Sequence, residues 1–313
     1  MHGLSARSKK PFSIKYMSQN KTHCGYAAII GKPNVGKSTL LNQLIGKKIA
    51  ITSHKAQTTR RRILGIKTLA DAQILYLDTP GLHSKEKNLM NRYMNRAAHS
   101  VLTDVDVIIW LIEALKWDEE EEAILKRLAN IKTPVILAIN KIDQVKDKNK
   151  LLPFLDRIKN KFSFAHIIPI SAEKNIQLDE LEKIIIRYLP ESPFCYPETQ
   201  VTDADDAFIA SEMIREKLTR LLGQELPYAL TVMIEAIERK ENIINIAAVI
   251  LVNKENQKAI VIGHKGEQLK AIGTQARKEL ENYFGKKVFL KLWVKVKSNW
   301  ADNEALISHD FSH

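Results

Sequence analysis

The sequence is poor in cysteine: it holds only Cys24 and Cys195, which are far apart in the chain and form no CxxC pair. Neither a disulfide framework nor a zinc site is indicated, and a reducing cytoplasm is the compartment that this usage favours. No apolar run reaches the roughly 18 residues that are needed to cross a bilayer. Residues 1–21 lack both acidic residues and an apolar core, which argues against a secretory signal.

Basic residues are in excess: 48 lysines and arginines face 36 acidic residues, a net charge of +12 over 313 residues. Residues 1–21 carry five basic residues, and we expect a disordered leader there, with a transit peptide as the alternative. Residues 254–297 carry 11 basic and 4 acidic residues, although the region 202–313 is neutral as a whole. A basic face in a neutral domain indicates a polyanionic partner, unless it is only a solvated lysine-rich surface.

Short apolar runs alternate with amphipathic stretches between residues 22 and 189, as in YAAIIG, AQILYLDTPG, VDVIIWLIE, PVILAINKID and HIIPIS. Runs this apolar predict strands that are buried on both faces of a mainly parallel α/β sheet. Ligands of such sheets bind at the carboxyl ends of the strands. The proline-punctuated residues 190–201 read as a linker to a second domain at 202–300, followed by a tail at 301–313.

The segment GKPNVGKS, residues 31–38, fits the phosphate-loop pattern GxxxxGK[ST] between a strand and the helical run TLLNQLIG. Gly31 and Gly36 let the backbone curl so that successive N–H groups face phosphates. Lys37 is placed to reach the β- and γ-phosphates, and the Ser38 hydroxyl is placed to ligate Mg²⁺. By itself the motif indicates a nucleoside-triphosphate site.

The segment DTPG ends the strand QILYL. Asp78 is placed to hold the Mg²⁺ shell, directly or through water, and Gly81 can offer its N–H to the γ-phosphate. The loop ITSHKAQTTRRR, residues 51–62, has to supply a hydroxyl that completes the shell and senses the γ-phosphate. We expect Thr59 in that role, with Thr58 as the alternative.

The segment NKID ends the strand PVILAI and specifies the base. Asp143 can accept hydrogen bonds from the N1–H and the exocyclic amine of guanine, and a site built on such pairing rejects adenine by a factor of about 10⁴. Asn140 is expected to brace the neighbouring loops, and Lys141 to cover the base plane. The segment SAE ends the strand HIIPI and is expected to offer the Ala172 N–H to guanine O6.

The four segments follow one another in the order phosphate, magnesium, base, base, and this arrangement resembles the Ras-like GTPases. The resemblance implies GTP or GDP with Mg²⁺ as ligands, Lys37 and Thr59 as catalytic residues, and Ser38, Thr59 and Asp78 as metal ligands. The nucleotide-binding set is Gly31, Pro33, Asn34, Val35, Gly36, Lys37, Ser38, Thr39, Asp78, Gly81, Asn140, Lys141, Asp143, Ser171 and Ala172.

One position departs from the Ras-like pattern. Leu82 follows Gly81 where Ras-type proteins place a glutamine that orients the attacking water. Because leucine can neither orient nor deprotonate water, we expect slow intrinsic hydrolysis that is assisted by another group or a bound partner. His83 is the nearby alternative for catalysis.

The second domain reads α-β-β-α-α-β with the tetrapeptide GHKG at the junction of two helices, which is the context of a type II KH domain. Gly263 and Gly266 would let a single-stranded backbone approach closely. Leu269, Ile272, Ala276 and Leu280 are spaced as the buried stripe of the second helix. The candidate RNA-binding residues are Ile262, Gly263, His264, Lys265, Gly266, Lys270 and Arg277.

With both domains considered, residues 24–302 resemble the Era family of bacterial ribosome-assembly GTPases. Besides the motifs above, the resemblance rests on ITSHKAQTTRRRILGI, SEMIREKLTRLLGQELPY and LWVKVKSNWAD. It implies that the KH domain binds the 3′ end of 16S-type ribosomal RNA and that GTP hydrolysis controls attachment to the small ribosomal subunit. It also implies a cytoplasmic protein, expected to be monomeric, with some peripheral association with the cell membrane.

Three functional hypotheses remain open at this point. In the first, the nucleotide state gates RNA binding. In the second, hydrolysis only times release from RNA. In the third, the chain is a GTP-linked tRNA-modification or membrane factor whose second domain recognises protein. The acidic run DEEEE, residues 118–122, is expected to open a helix, where its charge suits the positive helix end.

Overall fold

The structure, a computed structural model, describes residues 21–52, 62–78, 104–222, 230–298 and 300. A six-stranded sheet is followed along the chain by a three-stranded sheet. The first sheet belongs to an α/β P-loop domain and the second to an α+β domain of the type II KH arrangement. Both parts of the predicted fold class are therefore confirmed.

The first sheet has the strand order β2-β3-β1-β4-β5-β6. Its strands are β1 His23–Ile30, β2 Ile63–Thr68, β3 Ala72–Asp78, β4 Val107–Glu113, β5 Val135–Asn140 and β6 His166–Pro169. Only the edge strand β2 runs antiparallel to its neighbour; the other strand pairs are parallel. The sequence predicted the five parallel strands and missed β2, whose residues ILGIKT adjoin the arginine-rich loop.

Helices cover both faces of this sheet. They are α1 Lys37–Ile45, α2 Glu119–Leu128, α3 Leu151–Ile158 and α4 Leu178–Ile186. Alternate residues of β4 enter the two apolar cores: Ile109 packs in one, and Ile108 and Trp110 pack in the other. Burial on both faces explains why the strand sequence is apolar throughout and does not alternate.

The second domain has the element order α-β-β-α-α-β that the sequence predicted. Its elements are α5 Asp206–Leu221, β7 Leu230–Arg239, β8 Ile243–Val252, α6 Glu255–Ile262, α7 Glu267–Phe284 and β9 Lys287–Val296. Strand β8 is central, antiparallel to β7 and parallel to β9. Ile272, Ala276 and Leu280 of α7 are fully buried, and Leu269 packs against the core that holds Ile272 and Ala276, which confirms the predicted stripe.

The two domains share an apolar contact. Ile209 and Met213 of α5 lie in the same buried cluster as Leu41 of α1. The chain between the domains follows the edge strand β2, where the Thr202 hydroxyl donates to the Leu64 carbonyl at 2.7 Å. The stretch predicted as a linker is therefore packed at its end against the sheet, while the exact domain boundaries stay a prediction.

Candidate nucleotide and RNA sites

The phosphate loop connects β1 to α1 and has the conformation that its glycines permit. Gly31, Asn34 and Gly36 have φ of 147°, 66° and 104°. A Cβ on Gly31 would lie 2.3 Å from the Leu111 carbonyl oxygen, and one on Gly36 would lie 2.4 Å from Asn140 Nδ2. Because neither position has room for a side chain, both glycines are required by packing as well as by conformation.

The Lys37 side chain folds back over this loop. Its Nζ donates to the carbonyl oxygens of Gly31 and Lys32, each at 3.0 Å, and the residue is 7% exposed. Burial lowers the pKa of the Lys37 ammonium, an effect that the charge of Asp78 partly offsets. An anionic phosphate at the loop would favour the charged form further, so the arrangement suits a polyphosphate ligand.

Ser38 and Asp78, which lie on different elements, bring together two oxygen atoms that can ligate a metal ion. The Ser38 hydroxyl, in the first turn of α1, donates to Asp78 Oδ2 at 2.9 Å, and Asp78 is fully buried at the end of β3. Oxygen ligands of this kind are those that Mg²⁺ prefers, together with water and substrate phosphates. The residues present therefore fit a Mg²⁺ ion bound beside the phosphate loop.

Asn140 joins three loops through one buried amide. Its Nδ2 donates to the Val35 carbonyl at 2.8 Å, and its Oδ1 accepts from the Ala172 N–H at 2.9 Å. The bracing role predicted for Asn140 is thus seen in the structure. The Ala172 N–H, expected to reach guanine O6, is here bonded to Asn140, so its contact with the base stays a prediction.

The base-recognition residues lie next to this junction. Asp143 is half-buried in a short 3₁₀ helix, and its Oδ1 accepts from the buried Ser171 hydroxyl at 2.5 Å. Lys141 has φ of 64° and pairs with Glu113 Oε2 at 2.9 Å. The pairings with Lys116 and Lys141 hold the pKa of the Glu113 carboxyl below its usual value despite partial burial. Glu113 was not among the residues predicted from the sequence, in which its only signal is its position at the end of β4.

A second contact missed by the sequence analysis links the phosphate loop to α2. The Lys32 ammonium pairs with Asp118 and lies 3.4 Å from Glu121 Oε1. Asp118 also caps α2, accepting from the N–H groups of Glu120 and Glu121. The acidic run opens a helix as predicted, and in addition it anchors a phosphate-loop lysine. Glu121 is fully buried, and this burial raises the pKa of its carboxyl to about 7, with Lys32 acting in the opposite direction.

The remaining nucleotide-site predictions divide into two groups. Pro33 is half-buried in the phosphate loop, Thr39 is half-buried in α1, and Val35 is buried. Thr59 and Gly81 lie outside the described residues, as do Thr58, Leu82 and His83.

The GHKG tetrapeptide forms a tight connection between α6 and α7. Gly263 and Gly266 have φ of 73° and 80°, and Lys265 between them has φ of 48°. A Cβ on Gly263 would lie 2.5 Å from Gln268 Cβ, whereas one on Gly266 would meet nothing within 4 Å. Gly263 is therefore fixed by packing inside the protein, while the Gly266 position opens to solvent and can receive a ligand backbone.

The other candidate RNA-binding residues lie at this connection or further along α7. His264, Lys265, Lys270 and Arg277 are exposed, and Ile262 is half-buried. Lys270 and Arg277 are seven residues apart on α7 and so lie on one face of the helix, Lys270 about one turn and Arg277 about three turns beyond the tetrapeptide. This places cationic side chains beside the surface that Gly266 leaves open.

Part of the positive charge lies elsewhere, on strand β9. Lys287, Lys291 and Lys295 are exposed at intervals of four residues, which places them on one face of the strand. The ammonium groups of Lys291 and Lys295 each lie 5.6 Å from the ring centre of Trp293. The basic excess read from the sequence is thus divided between the helix junction and the outer face of a strand.

Known proteins share this combination of domains. A family model described as "50S ribosome-binding GTPase" matches residues 26–141, and one described as "KH domain" matches residues 225–301. The chain is 56% identical over 286 residues to a protein called GTPase Era of Coxiella burnetii (strain Dugway 5J108-111), covering 91% of this chain and 97% of that protein. It is 53% identical over 286 residues to GTPase Era of Haemophilus influenzae (strain PittGG), covering 91% and 95%.

Two solved structures match the whole fold. A variant of Aquifex aeolicus Era bound to GDP and AlF4⁻ has a TM-score of 0.88 and 42% identity, covering 93% of this chain and 99% of that chain. Era in complex with MgGDPNP and nucleotides 1506–1542 of 16S ribosomal RNA has a TM-score of 0.88 and 42% identity, covering 93% and 98%. With its phosphate loop, guanine-recognition residues and KH domain in the same order, the chain belongs to the Era family of GTPases.

Proposed function

We propose that this protein is a GTP-hydrolysing switch that binds the 3′ end of 16S-type ribosomal RNA during assembly of the small ribosomal subunit. The observation that carries the proposal is the pairing of a guanine-nucleotide site with an open GHKG connection in a KH domain that contacts the nucleotide domain. The relative of known structure that binds MgGDPNP and 16S ribosomal RNA together supports both halves of the proposal.

In the nucleotide domain, the chain's own residues bind and orient GTP. The N–H groups of the phosphate loop and the Lys37 ammonium would hold the phosphates, and Asp143 would select guanine. Ser38 and Asp78 would hold Mg²⁺ with the help of Thr59, and that ion would neutralise charge developing on the transferred phosphoryl group. Asn140 keeps the phosphate and base loops in fixed relation, since it bonds to both.

We further propose that hydrolysis is intrinsically slow. Leucine at position 82 supplies no group that orients water, so the rate should depend on another residue or on a bound partner. A bound RNA or ribosomal subunit is the natural source of such help in a protein whose second domain binds RNA.

In the KH domain, the open surface at Gly266 and the helix N-terminus that follows it would receive the RNA backbone. Lys265, Lys270 and Arg277 would neutralise phosphates, and Ile262 would offer an apolar edge to a base. Sequence-specific RNA recognition usually targets single strands with unstacked bases, which agrees with an RNA 3′ end as the ligand.

The proposal extends to the cellular location and the oligomeric state of the protein. We propose a cytoplasmic, monomeric protein with some peripheral membrane association, as the family resemblance implies. In the part of the chain that the structure describes, no helix has the length and apolar character that crossing a membrane requires.

The proposal is tested by measuring affinity for a labelled oligonucleotide with the sequence of the 3′ end of small-subunit ribosomal RNA, at several salt concentrations. The measurement is repeated with a non-hydrolysable GTP analogue, with GDP and without nucleotide. We expect affinity to fall with salt and to be highest with the GTP analogue. An oligonucleotide of the same length and base composition but permuted sequence is the matched control. Equal affinity for both oligonucleotides would overturn the assignment to this RNA.

The same experiment separates the remaining hypotheses. RNA affinity that is indifferent to nucleotide would leave hydrolysis as a release timer only. Preference for transfer RNA, or for anionic vesicles over either oligonucleotide, would favour the tRNA-modification or membrane factor.

A further inference from the structure

The two cysteines of the chain, 171 residues apart in sequence, meet where the linker crosses the nucleotide domain. Their Sγ atoms are 3.3 Å apart. Cys24 is the second residue of β1 and is 3% exposed, while Cys195 lies in the linker and is exposed. A buried thiol is thus in contact with one that solvent can reach.

The backbone on both sides of this contact is held in place by hydrogen bonds. The fully buried Gln73 of β3 accepts through Oε1 from the N–H groups of Cys195 and Tyr196, each at 2.9 Å. Its Nε2 donates to the Tyr196 carbonyl at 2.8 Å, and the Cys24 N–H donates to the Pro190 carbonyl at 3.2 Å. Because the linker is fixed on both sides of Cys195, the contact between the sulfur atoms is a property of the fold.

We propose that Cys24 and Cys195 are an oxidation site at which a reversible disulfide fastens the linker to the nucleotide domain. A disulfide bond is about 2.05 Å long, so its formation requires the sulfur atoms to approach by only about 1 Å. Disulfides of cytoplasmic proteins are characteristically transient and redox-sensing, and this pair has the exposed member that such chemistry requires.

The reaction with a hydroperoxide proceeds in two steps. The Cys195 thiolate attacks a peroxide oxygen and the O–O bond breaks, so that Cys195 becomes a sulfenic acid and hydroxide leaves to form water. The Cys24 thiolate then attacks the Cys195 sulfur, the S–O bond breaks, and a second hydroxide leaves as water. Two thiols and one hydrogen peroxide give one disulfide and two waters, and an external dithiol reverses the change by thiol–disulfide exchange.

The environments of the two thiols determine the order of these steps. Burial, and next the hydrogen bond to Cys195, raise the pKa of the Cys24 thiol to about 11. Cys24 is therefore a poor nucleophile at neutral pH, and oxidation has to begin at the exposed Cys195. The second step needs the Cys24 thiolate, so below that pKa its rate should rise about tenfold for each pH unit.

The disulfide would act on the linker while leaving nucleotide binding intact. Cys24 lies near the amino end of β1, and Gly31 of the phosphate loop follows the opposite end, about 23 Å away at 3.3 Å per residue. Beyond Cys195, the linker is bonded to β2 through Thr202 and Leu64. Oxidation would reinforce this attachment and restrict how far the second domain can move relative to the first.

The full-length protein, reduced and then treated with hydrogen peroxide, tests the proposal. We expect the intact mass to fall by two hydrogen atoms, a peptide map to show Cys24 joined to Cys195, and dithiothreitol to restore the original mass. The disulfide closes a very long loop, so the thermal midpoint should rise by about 10 °C on oxidation. GTP affinity should not change.

Cys195→Ser and Cys24→Ser are the matched variants, and each should abolish both the mass change and the rise in thermal midpoint. Cys195→Ser alters an exposed side chain and retains the fold, which unchanged GTP binding verifies. Three outcomes would overturn the proposal: sulfinic acid at Cys195 with Cys24 remaining a thiol, crosslinks only between two copies of the chain, or a disulfide that forms only under denaturing conditions.

Discussion

Arg220 of the KH domain donates hydrogen bonds to Thr52 of the nucleotide domain. The guanidinium donates to the Thr52 carbonyl through Nε at 3.2 Å and Nη2 at 3.0 Å, and Nη2 also donates to the Thr52 hydroxyl at 2.9 Å. Arg220 in turn pairs with Glu216 at 2.5 Å, and Glu216, fully buried, also pairs with Lys48 of the nucleotide domain. Thr52 is the second residue of the loop 51–62, which is expected to sense the γ-phosphate. Helix α5 therefore contacts the nucleotide domain at a loop whose conformation is expected to depend on the bound nucleotide.

Arg220→Ala should weaken the coupling between the two sites. Coupling free energies between ligand sites are typically 1–3 kcal/mol, equivalent to about 5–150-fold in affinity. We expect the ratio of RNA affinities with a GTP analogue and with GDP to fall several-fold in the variant. The measurement is the oligonucleotide titration described above, carried out with both nucleotides.

Arg220→Lys keeps the positive charge but loses the two-pronged contact with the Thr52 carbonyl, so it should reproduce most of the loss. Lys183→Ala removes an equivalent exposed charge from helix α4 and should leave the ratio unchanged. An Arg220→Ala protein with the wild-type ratio would show that the contact does not carry the coupling.

Asp143→Asn should lower GTP affinity by at least about 100-fold. The change replaces one carboxylate oxygen with an NH₂ group that faces a donor of guanine, so one hydrogen bond is lost and the other loses its charged acceptor. Hydrogen bonds to charged groups contribute about 1.5–3 kcal/mol each. The new amide can instead donate to the C2 carbonyl of xanthine, so xanthosine triphosphate should bind the variant better than GTP does. Competition against a fluorescent nucleotide measures both affinities, and an unaltered preference for guanine would refute the assigned base contact.

Gly266→Asp should abolish RNA binding while preserving GTP binding. The position has room for a side chain, and aspartate tolerates positive φ better than most residues, so the fold should survive. The added carboxylate would face the RNA phosphates and repel them. Gly266→Asn adds a side chain of the same size without charge, so it should retain more RNA affinity than the aspartate variant.

Gly263 is the poorer choice for this test, since a side chain there would collide with Gln268. Equal loss of RNA and GTP binding in Gly266→Asp would indicate misfolding, and Asp and Asn variants of equal RNA affinity would contradict a phosphate contact at this position.

Glu121→Gln should stabilise the protein, and increasingly so as the pH rises from about 4.5 to about 7. Burial raises the pKa of this carboxyl from 4.5 to about 7 in the folded state, so between these values the folded protein holds a proton that the unfolded chain has lost. Wild-type stability therefore falls with rising pH over this window, while glutamine, which does not titrate, avoids the loss. The full difference corresponds to about 3 kcal/mol.

Urea unfolding of both proteins from pH 4 to pH 9 measures the effect. Glu119→Gln changes an exposed carboxylate of the same helix turn and is the matched control. A stability difference between Glu121→Gln and the wild type that stays constant with pH would contradict a raised pKa at this position.

The five parallel strands and the order of the KH elements were predictable, because strand burial and helix stripes leave local periodicities in the sequence. Strand β2 was not predictable from the sequence. It is an antiparallel edge strand whose glycine and lysine weaken the apolar pattern, and its pairing with β3 stabilises the extended conformation that its own sequence does not specify.

The residues at and near the nucleotide site also divide into those that could be predicted from the sequence and those that could not. Gly31, Lys37, Asp78 and Asp143 could be predicted from the sequence because phosphate and guanine chemistry demand these residue types at strand ends. Glu113, Glu121 and Arg220 were not found, since each acts on a partner that only folding brings near, namely Lys141, Lys32 and Thr52.

The sequence by itself therefore determined the ligand chemistry of this protein: a guanine nucleotide at one domain and a polyanion at the other. Tertiary structure alone decided how the domains are joined, because contacts between residues more than 150 positions apart leave no periodic trace. The two cysteines make the point most directly, since their spacing suggested no bond and the fold brings their sulfur atoms to 3.3 Å.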